Sequence, residues 1–213
     1  MIFSKRVVLF LIRLICNVLL SVEVRGQGNV PHSGSLVLVS NHAHNIDVFL
    51  VPFGFPRWIN FMAKQELFDN PMLGFIIRWC GAFPIVRQGD IGEKRETMRQ
   101  AKFILESGGV LGMFPEGKRS SSGILARGKA GPVVIAVETN APAIPVAVSG
   151  TEKLRGISWL WKRPHIVISI GKPFTFPLTE GRLKRAEMKL LTDLMMNKIA
   201  MLLPESKRGI YEG

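Results

Sequence analysis

The stretch Leu36-Val37-Leu38-Val39-Ser40-Asn41-His42-Ala43-His44-Asn45-Ile46-Asp47 decides the fold. Its first four residues are all aliphatic. A strand that is apolar on both faces is buried on both faces, as in a parallel sheet covered by helices. The polar run after it stands where such a strand ends, and Ser40 or Asn41 is expected to cap a following helix. Upstream, Val22 and Val24 read as another strand, joined through a turn containing Gly26, Gly28, Pro31 and Gly34. Downstream, strands are expected at 58–63, 82–86, Val110–Phe114, Ile144–Val148 and Ile166–Ile170. Ile91–Ser107 reads as a helix with Met98, Ala101 and Leu105 on one face, ended by Gly108-Gly109. Lys129–Glu138, with Pro132 in its first turn, and Leu183–Leu203, stopped by Pro204, read as two more. Strands alternating with helices give an α/β fold: a single domain with a mostly parallel central sheet flanked by helices.

The length of 213 residues suits one domain with a real core. Apolar residues make up 47%, which excludes a disordered chain. Lys and Arg number 28 against 16 Asp and Glu, a net charge of +12 that favours anionic partners. Nucleic acid is not expected among them, because there is no zinc-finger spacing and no cluster of aromatics among the basic residues. The apolar content points to acidic lipid or phosphorylated substrates instead. Two cysteines, Cys16 and Cys80, make no disulfide framework and read as buried, reduced thiols.

The first twenty residues, MIFSKRVVLFLIRLICNVLL, begin like a signal peptide. Arg13 splits the apolar run, however, and no small-x-small cleavage site follows. The run is also interrupted well short of the roughly 20 apolar residues that span a bilayer. A helix lying in the membrane interface fits better. Lys5, Arg6 and Arg13 would snorkel to phosphates while Phe3, Phe10, Leu11 and Leu14 enter the acyl region. An ordinary core helix has the same periodicity and stays open.

His42 and Asp47 are five residues apart. Across a strand-to-helix turn that spacing can bring the carboxylate to one imidazole nitrogen and leave the other facing a pocket as a general base. The carboxylate then fixes the tautomer, as in a Ser-His-Asp triad with a substrate hydroxyl in place of Ser. A capping motif with His42 incidental is the competing reading. A metal site at His42, His44 and Asp47 is not expected, since no second cluster completes a ligand shell. Phe114-Pro115-Glu116-Gly117-Lys118-Arg119-Ser120 follows another strand. With Gly112 it nearly spells a phosphate-binding P-loop, but Arg119 stands where magnesium coordination wants Ser or Thr, and Glu116 would repel phosphate. In Gly81-Ala82-Phe83-Pro84-Ile85-Val86-Arg87 a strand ends in a guanidinium, suited to phosphate or to a surface ion pair.

Together these segments resemble the glycerolipid acyltransferase family, in particular its bacterial 1-acylglycerol-3-phosphate acyltransferases. Four blocks occur in the family's order. N-H-x4-D is matched by Asn41, His42 and Asp47, and G-x-x-x-I-x-R by Gly81, Ile85 and Arg87. F-P-E-G-x-R-S is matched by Phe114, Pro115, Glu116, Gly117, Arg119 and Ser120, and a proline-flanked apolar strand by Ala141–Ala147. Met62–Leu67 resembles the segment between the first two blocks, and Lys118 departs from the Thr of many members.

The resemblance implies a glycerol-3-phosphate acyltransferase-like fold, with residues 1–21 as a membrane-associating segment and 22–213 as the acyltransferase domain. It implies transfer of a fatty acyl group from acyl-CoA or acyl carrier protein to the sn-2 hydroxyl of lysophosphatidic acid, giving phosphatidic acid. His42 would be the general base held by Asp47. Arg87 and Arg119, helped by Lys118 and Lys64, would bind the acceptor's phosphate. Glu116, Gly117 and Ser120 would belong to the substrate site, Glu116 by binding a glycerol hydroxyl or by holding a loop. No metal or cofactor is required. The same mechanism on another acceptor, such as another lysophospholipid, glycerol 3-phosphate or an acylated amino acid, is the alternative, and a non-catalytic basic membrane-binding protein is a further one. The expected location is a membrane surface with anionic lipid, at the cytoplasmic face of a bacterial inner membrane. Trp159 and Trp161 could add membrane contact, or could pack on the core as alternate residues of a strand.

Overall fold

The computed structural model describes residues 2–79, 81–85, 91–154, 156, 158–177 and 183–211. Seven strands form one sheet: β1 (Ser21–Arg25), β2 (Leu36–Ser40), β3 (Ile59–Lys64), β4 (Phe83–Ile85), β5 (Val110–Met113), β6 (Ala143–Ser149) and β7 (His165–Ile170). Their spatial order is β1-β7-β6-β2-β5-β3-β4. Every neighbouring pair is parallel except β6 with β7. The aliphatic strand β2 sits near the middle and all five of its residues are buried.

The helices are α1 (Ile2–Leu19), α2 (Asp47–Gly54), α3 (Glu66–Asp69), α4 (Pro71–Trp79), α5 (Ile91–Glu106), α6 (Gly131–Glu138) and α7 (Arg185–Ala200). The paths β2–α2–β3 and β3–α3–α4–β4 advance toward one edge of the sheet, and β4–α5–β5 and β5–α6–β6 return. Right-handed crossovers therefore place α2 and α4 on one face and α5 and α6 on the other. The core divides the same way. Val37 and Val39 of β2 pack with residues of α5, α6 and α7, while Leu36 and Leu38 pack with residues of α1 and α2. Period-two alternation along β2 thus feeds two separate apolar clusters.

Three expectations need correction. The helix after β2 starts at Asp47, not at Ser40 or Asn41, and Asn41 is not its cap. Instead, Asn41 Nδ2 donates to the Val148 carbonyl at 2.9 Å, and the Val148 amide donates to Asn41 Oδ1 at 2.8 Å. The side chain thereby continues the β2–β6 ladder one residue past the strand. Ser158–Trp161 is a 3-10 turn rather than a strand, with Trp161 exposed and Trp159 against the α1–α2 cluster.

Helix α1 packs on α2 through Val8, Ile12 and Cys16, all buried at four-residue spacing. Arg163 Nη2 donates to the Asn17 carbonyl at 2.9 Å, satisfying an acceptor in the last turn of α1. Burial pushes the Cys16 thiol up to about 11, consistent with an inert sulfur. Among the described residues, no helix is long and apolar enough to cross a membrane. Cys80 lies outside the described residues.

Candidate active site

The carboxyl ends of β2, β5 and β3 are neighbours in the sheet, so the segments after them meet at one edge. β2 delivers His42, β5 delivers Phe114–Ser120, and β3 ends at Lys64. The crossovers from β2 and from β5 also leave in opposite directions, and such a switch point opens a crevice for ligands.

His42 Nδ1 lies 2.9 Å from Asp47 Oδ2, with the Asp47 side chain fully buried and that of His42 nearly so. The same Asp47 oxygen accepts the amides of Ala43 at 2.7 Å and His44 at 2.8 Å. Three nitrogens thus converge on one buried oxygen at the first turn of α2. Nδ1 is engaged by Asp47, which leaves Nε2 as the other ring nitrogen. The ring stacks on Phe114, centroids 4.2 Å apart, and Phe114 stacks on Phe61 at 5.6 Å. The imidazole is held by a hydrogen bond at its edge and by an aromatic face. Nδ1 of His44 takes the Ile46 amide at 3.3 Å, a local turn contact.

The loop after β5 grips the His42 backbone from both sides. Glu116 Oε1 accepts the His42 amide at 2.8 Å, and the Ser120 amide donates to the His42 carbonyl at 2.8 Å. Glu116 Oε2 accepts the Ala126 amide at 2.9 Å. The buried carboxylate thus ties the histidine loop to a third segment, and burial pushes its pKa up. The Ser120 hydroxyl donates to the Ile124 carbonyl at 2.6 Å and closes the turn beyond the loop.

Gly117 has φ +71, which disfavours any side chain there. A Cβ at Gly117 would meet Lys129 Cε at 2.9 Å and Nζ at 3.0 Å. Lys129 therefore lies across the loop beside exposed Lys118 and Arg119, a cation that the sequence pattern did not single out. Lys64 is exposed at the end of β3, level with Ile85 of β4. Arg87, expected two residues past Ile85, lies outside the described residues. A cavity of about 860 Å³ between α7 and the segment around Gly128 is not lined by His42.

The arrangement offers Nε2 of a fixed histidine as a site for proton abstraction, at the same sheet edge as Lys118, Arg119 and Lys129. Comparison with known proteins identifies the family. A family model described as Acyltransferase matches residues 21–149, from β1 to the end of β6. A 1-acyl-sn-glycerol-3-phosphate acyltransferase of Bacillus subtilis is 31% identical over 153 residues, covering 71% of this chain and 73% of that protein. The protein of that name from Streptococcus pneumoniae is 33% identical over 64% of this chain, which spans 49% of it. The crystal structure of the 1-acyl-sn-glycerophosphate (LPA) acyltransferase PlsC from Thermotoga maritima superposes with TM-score 0.66 at 25% identity, over 89% of this chain and 77% of that one. The chain is an enzyme of the acyltransferase family.

Proposed function

We propose that this acyltransferase moves a fatty acyl group from a thioester donor to the free sn-2 hydroxyl of 1-acylglycerol 3-phosphate, giving phosphatidic acid. The observation that carries the reading is the His42–Asp47 pair at 2.9 Å, set at the same sheet edge as Lys118, Arg119 and Lys129. The names of the Bacillus, Streptococcus and Thermotoga relatives support this acceptor.

In the proposed step, Nε2 of His42 takes the proton of the acceptor hydroxyl. The oxygen attacks the thioester carbonyl, the C–O bond forms, the C–S bond breaks, and the proton passes from the imidazolium to the departing thiolate. Asp47 stabilises the imidazolium and keeps the ring oriented. Lys118, Arg119 and Lys129, with Lys64 at the end of β3 and Arg87, hold the acceptor's phosphate. Glu116 acts as a positioning residue, through the two amides it accepts. Both donor candidates, acyl-CoA and acyl carrier protein, present the same thioester, and the reaction needs no redox group. An amphiphilic acceptor places the enzyme at a membrane surface, for which the cytoplasmic face of a bacterial inner membrane is the proposed site.

An acceptor panel assayed with both donors tests the reading. Lysophosphatidic acid should be acylated, and monoacylglycerol, which lacks the phosphate, should be much poorer. Arg119→Ala should cost about tenfold or more with the first, the order of a lost charge-assisted hydrogen bond, and little with the second. Equal losses with both acceptors would make Arg119 structural and remove the phosphate assignment.

A further inference from the structure

Helix α4 is apolar in composition and yet lies almost bare. Met72 is 74% exposed, Phe75 69% and Trp79 41%. No carboxylate occurs between Pro71 and Trp79, and Arg78 is the only charge. Arg78 sits over the Phe68 ring at 4.9 Å, and Gly74 packs on the Phe68 carbonyl, where a Cβ would come within 2.7 Å. The helix is therefore fixed to α3 and presents its apolar side outward.

Helix α1 has the same character. Behind its buried stripe, Phe10 is 64% exposed, Leu14 49% and Val18 62%, and the whole segment lacks a carboxylate. The right-handed crossovers put α4 on the α2 side of the sheet, and α1 packs on α2. His42 opens on that side too, because its stacking partner Phe114 packs against the α1–α2 cluster. One face of the enzyme thus carries two helices with exposed apolar sides and the base. On the opposite face, α5 exposes Phe103 and α7 exposes Leu190 and Leu194. Those helices carry Glu93, Glu96, Arg99, Glu187, Lys189 and Asp193, whereas α4 and α1 carry no carboxylate.

We propose that α4 is a second membrane-inserting element, and that with α1 it docks the α1–α2–α4 face on an anionic bilayer. The proposal rests on the amphiphilic acceptor argued above for its choice of lipid as occupant. The charge pattern agrees. Arg13, Arg78 and Lys64 border the apolar surface, and Trp79 beside Arg78 suits the headgroup level. Glu66 and Asp69 of α3 are exposed and stay at the aqueous rim.

The test uses the full chain and vesicles of phosphatidylglycerol and phosphatidylethanolamine at high salt, where apolar insertion persists and charge attraction fades. Phe75→Glu should weaken vesicle binding about tenfold or more, the order of one large side chain withdrawn from the acyl region. Met72→Ser should weaken it less. Phe103→Glu, on the opposite face, should bind as the unaltered protein does. All three should keep acyl transfer to detergent-dispersed acceptor. Unchanged vesicle binding by Phe75→Glu would overturn the proposal. So would a shift from dimer to monomer in Phe75→Glu with vesicle binding intact, which would make α4 an interface between copies. Inactivity of the unaltered protein on every detergent-dispersed acceptor would instead reject the proposed reaction, and the binding results would still decide the docking face.

Discussion

At the scale of single residues, the site depends on side chains that hold backbone. Glu116 is the clearest case, since its two oxygens accept amides from two different segments. Glu116→Gln turns one oxygen into a donor facing an N–H, so about 1–3 kcal/mol of stability should be lost at neutral pH, measured by urea unfolding. Turnover should fall by roughly 10²-fold through misplacement of His42, with little change in KM for the acceptor. A sign follows for pH as well. The folded state holds the Glu116 proton more tightly than the unfolded chain, so this group's contribution is present below its ordinary value and is lost as pH rises through the folded one. The Gln variant lacks that slope, and its deficit against the unaltered protein should shrink as pH rises across this window. Parallel stability curves would contradict the burial argument. His42 and Asp47 were legible in the sequence because their pairing is local. The partners of Glu116 were not, because Ala126 and the His42 backbone meet only after β2 and β5 pair.

At the scale of elements, the aliphatic run of β2 and the Gly- and Pro-bounded strands announced the parallel sheet, since local composition reports burial on two faces. The start of α2 was misplaced because Asn41 resembles a cap, and its true partner Val148 is 107 residues away. Asn41→Ala should leave two buried backbone groups of Val148 unpaired and cost about 2–4 kcal/mol in thermal or urea unfolding. A loss below about 0.5 kcal/mol would mean that the ladder extension is incidental. Gly117→Ala should cost about 1–2 kcal/mol from the left-handed backbone alone and should displace Lys129. A change confined to stability, with acceptor KM unaltered, would separate Lys129 from the phosphate. Helices α3 and α4 went unread, as a short apolar stretch between strands has no period that tells a covered helix from a bare one.

At the scale of the whole molecule, α1 packs as the core helix that its periodicity allowed, and its outer side is where the interfacial reading is to be tested. Its stripe of Val8, Ile12 and Cys16 belongs to the core, while its outer side is apolar and free. Deleting residues 1–20 would therefore open the α2 cluster as well as remove the proposed membrane contact. The cleaner variant is Phe10→Ser with Leu14→Ser, which should keep the melting temperature but reduce salt-resistant binding to anionic vesicles. Each basic residue near such a surface adds about 1 kcal/mol that salt screens, so binding at low salt should survive better. Equal binding at both salts would place the contact elsewhere. The proposed reaction turns on His42. The most direct measurement is the rate of acyl transfer from labelled acyl-CoA or acyl carrier protein to lysophosphatidic acid by His42→Ala, beside its circular dichroism. A folded protein slowed on the order of 10²–10⁴-fold is the expected result. A folded His42→Ala protein that turns over within a few-fold of the unaltered enzyme would contradict it.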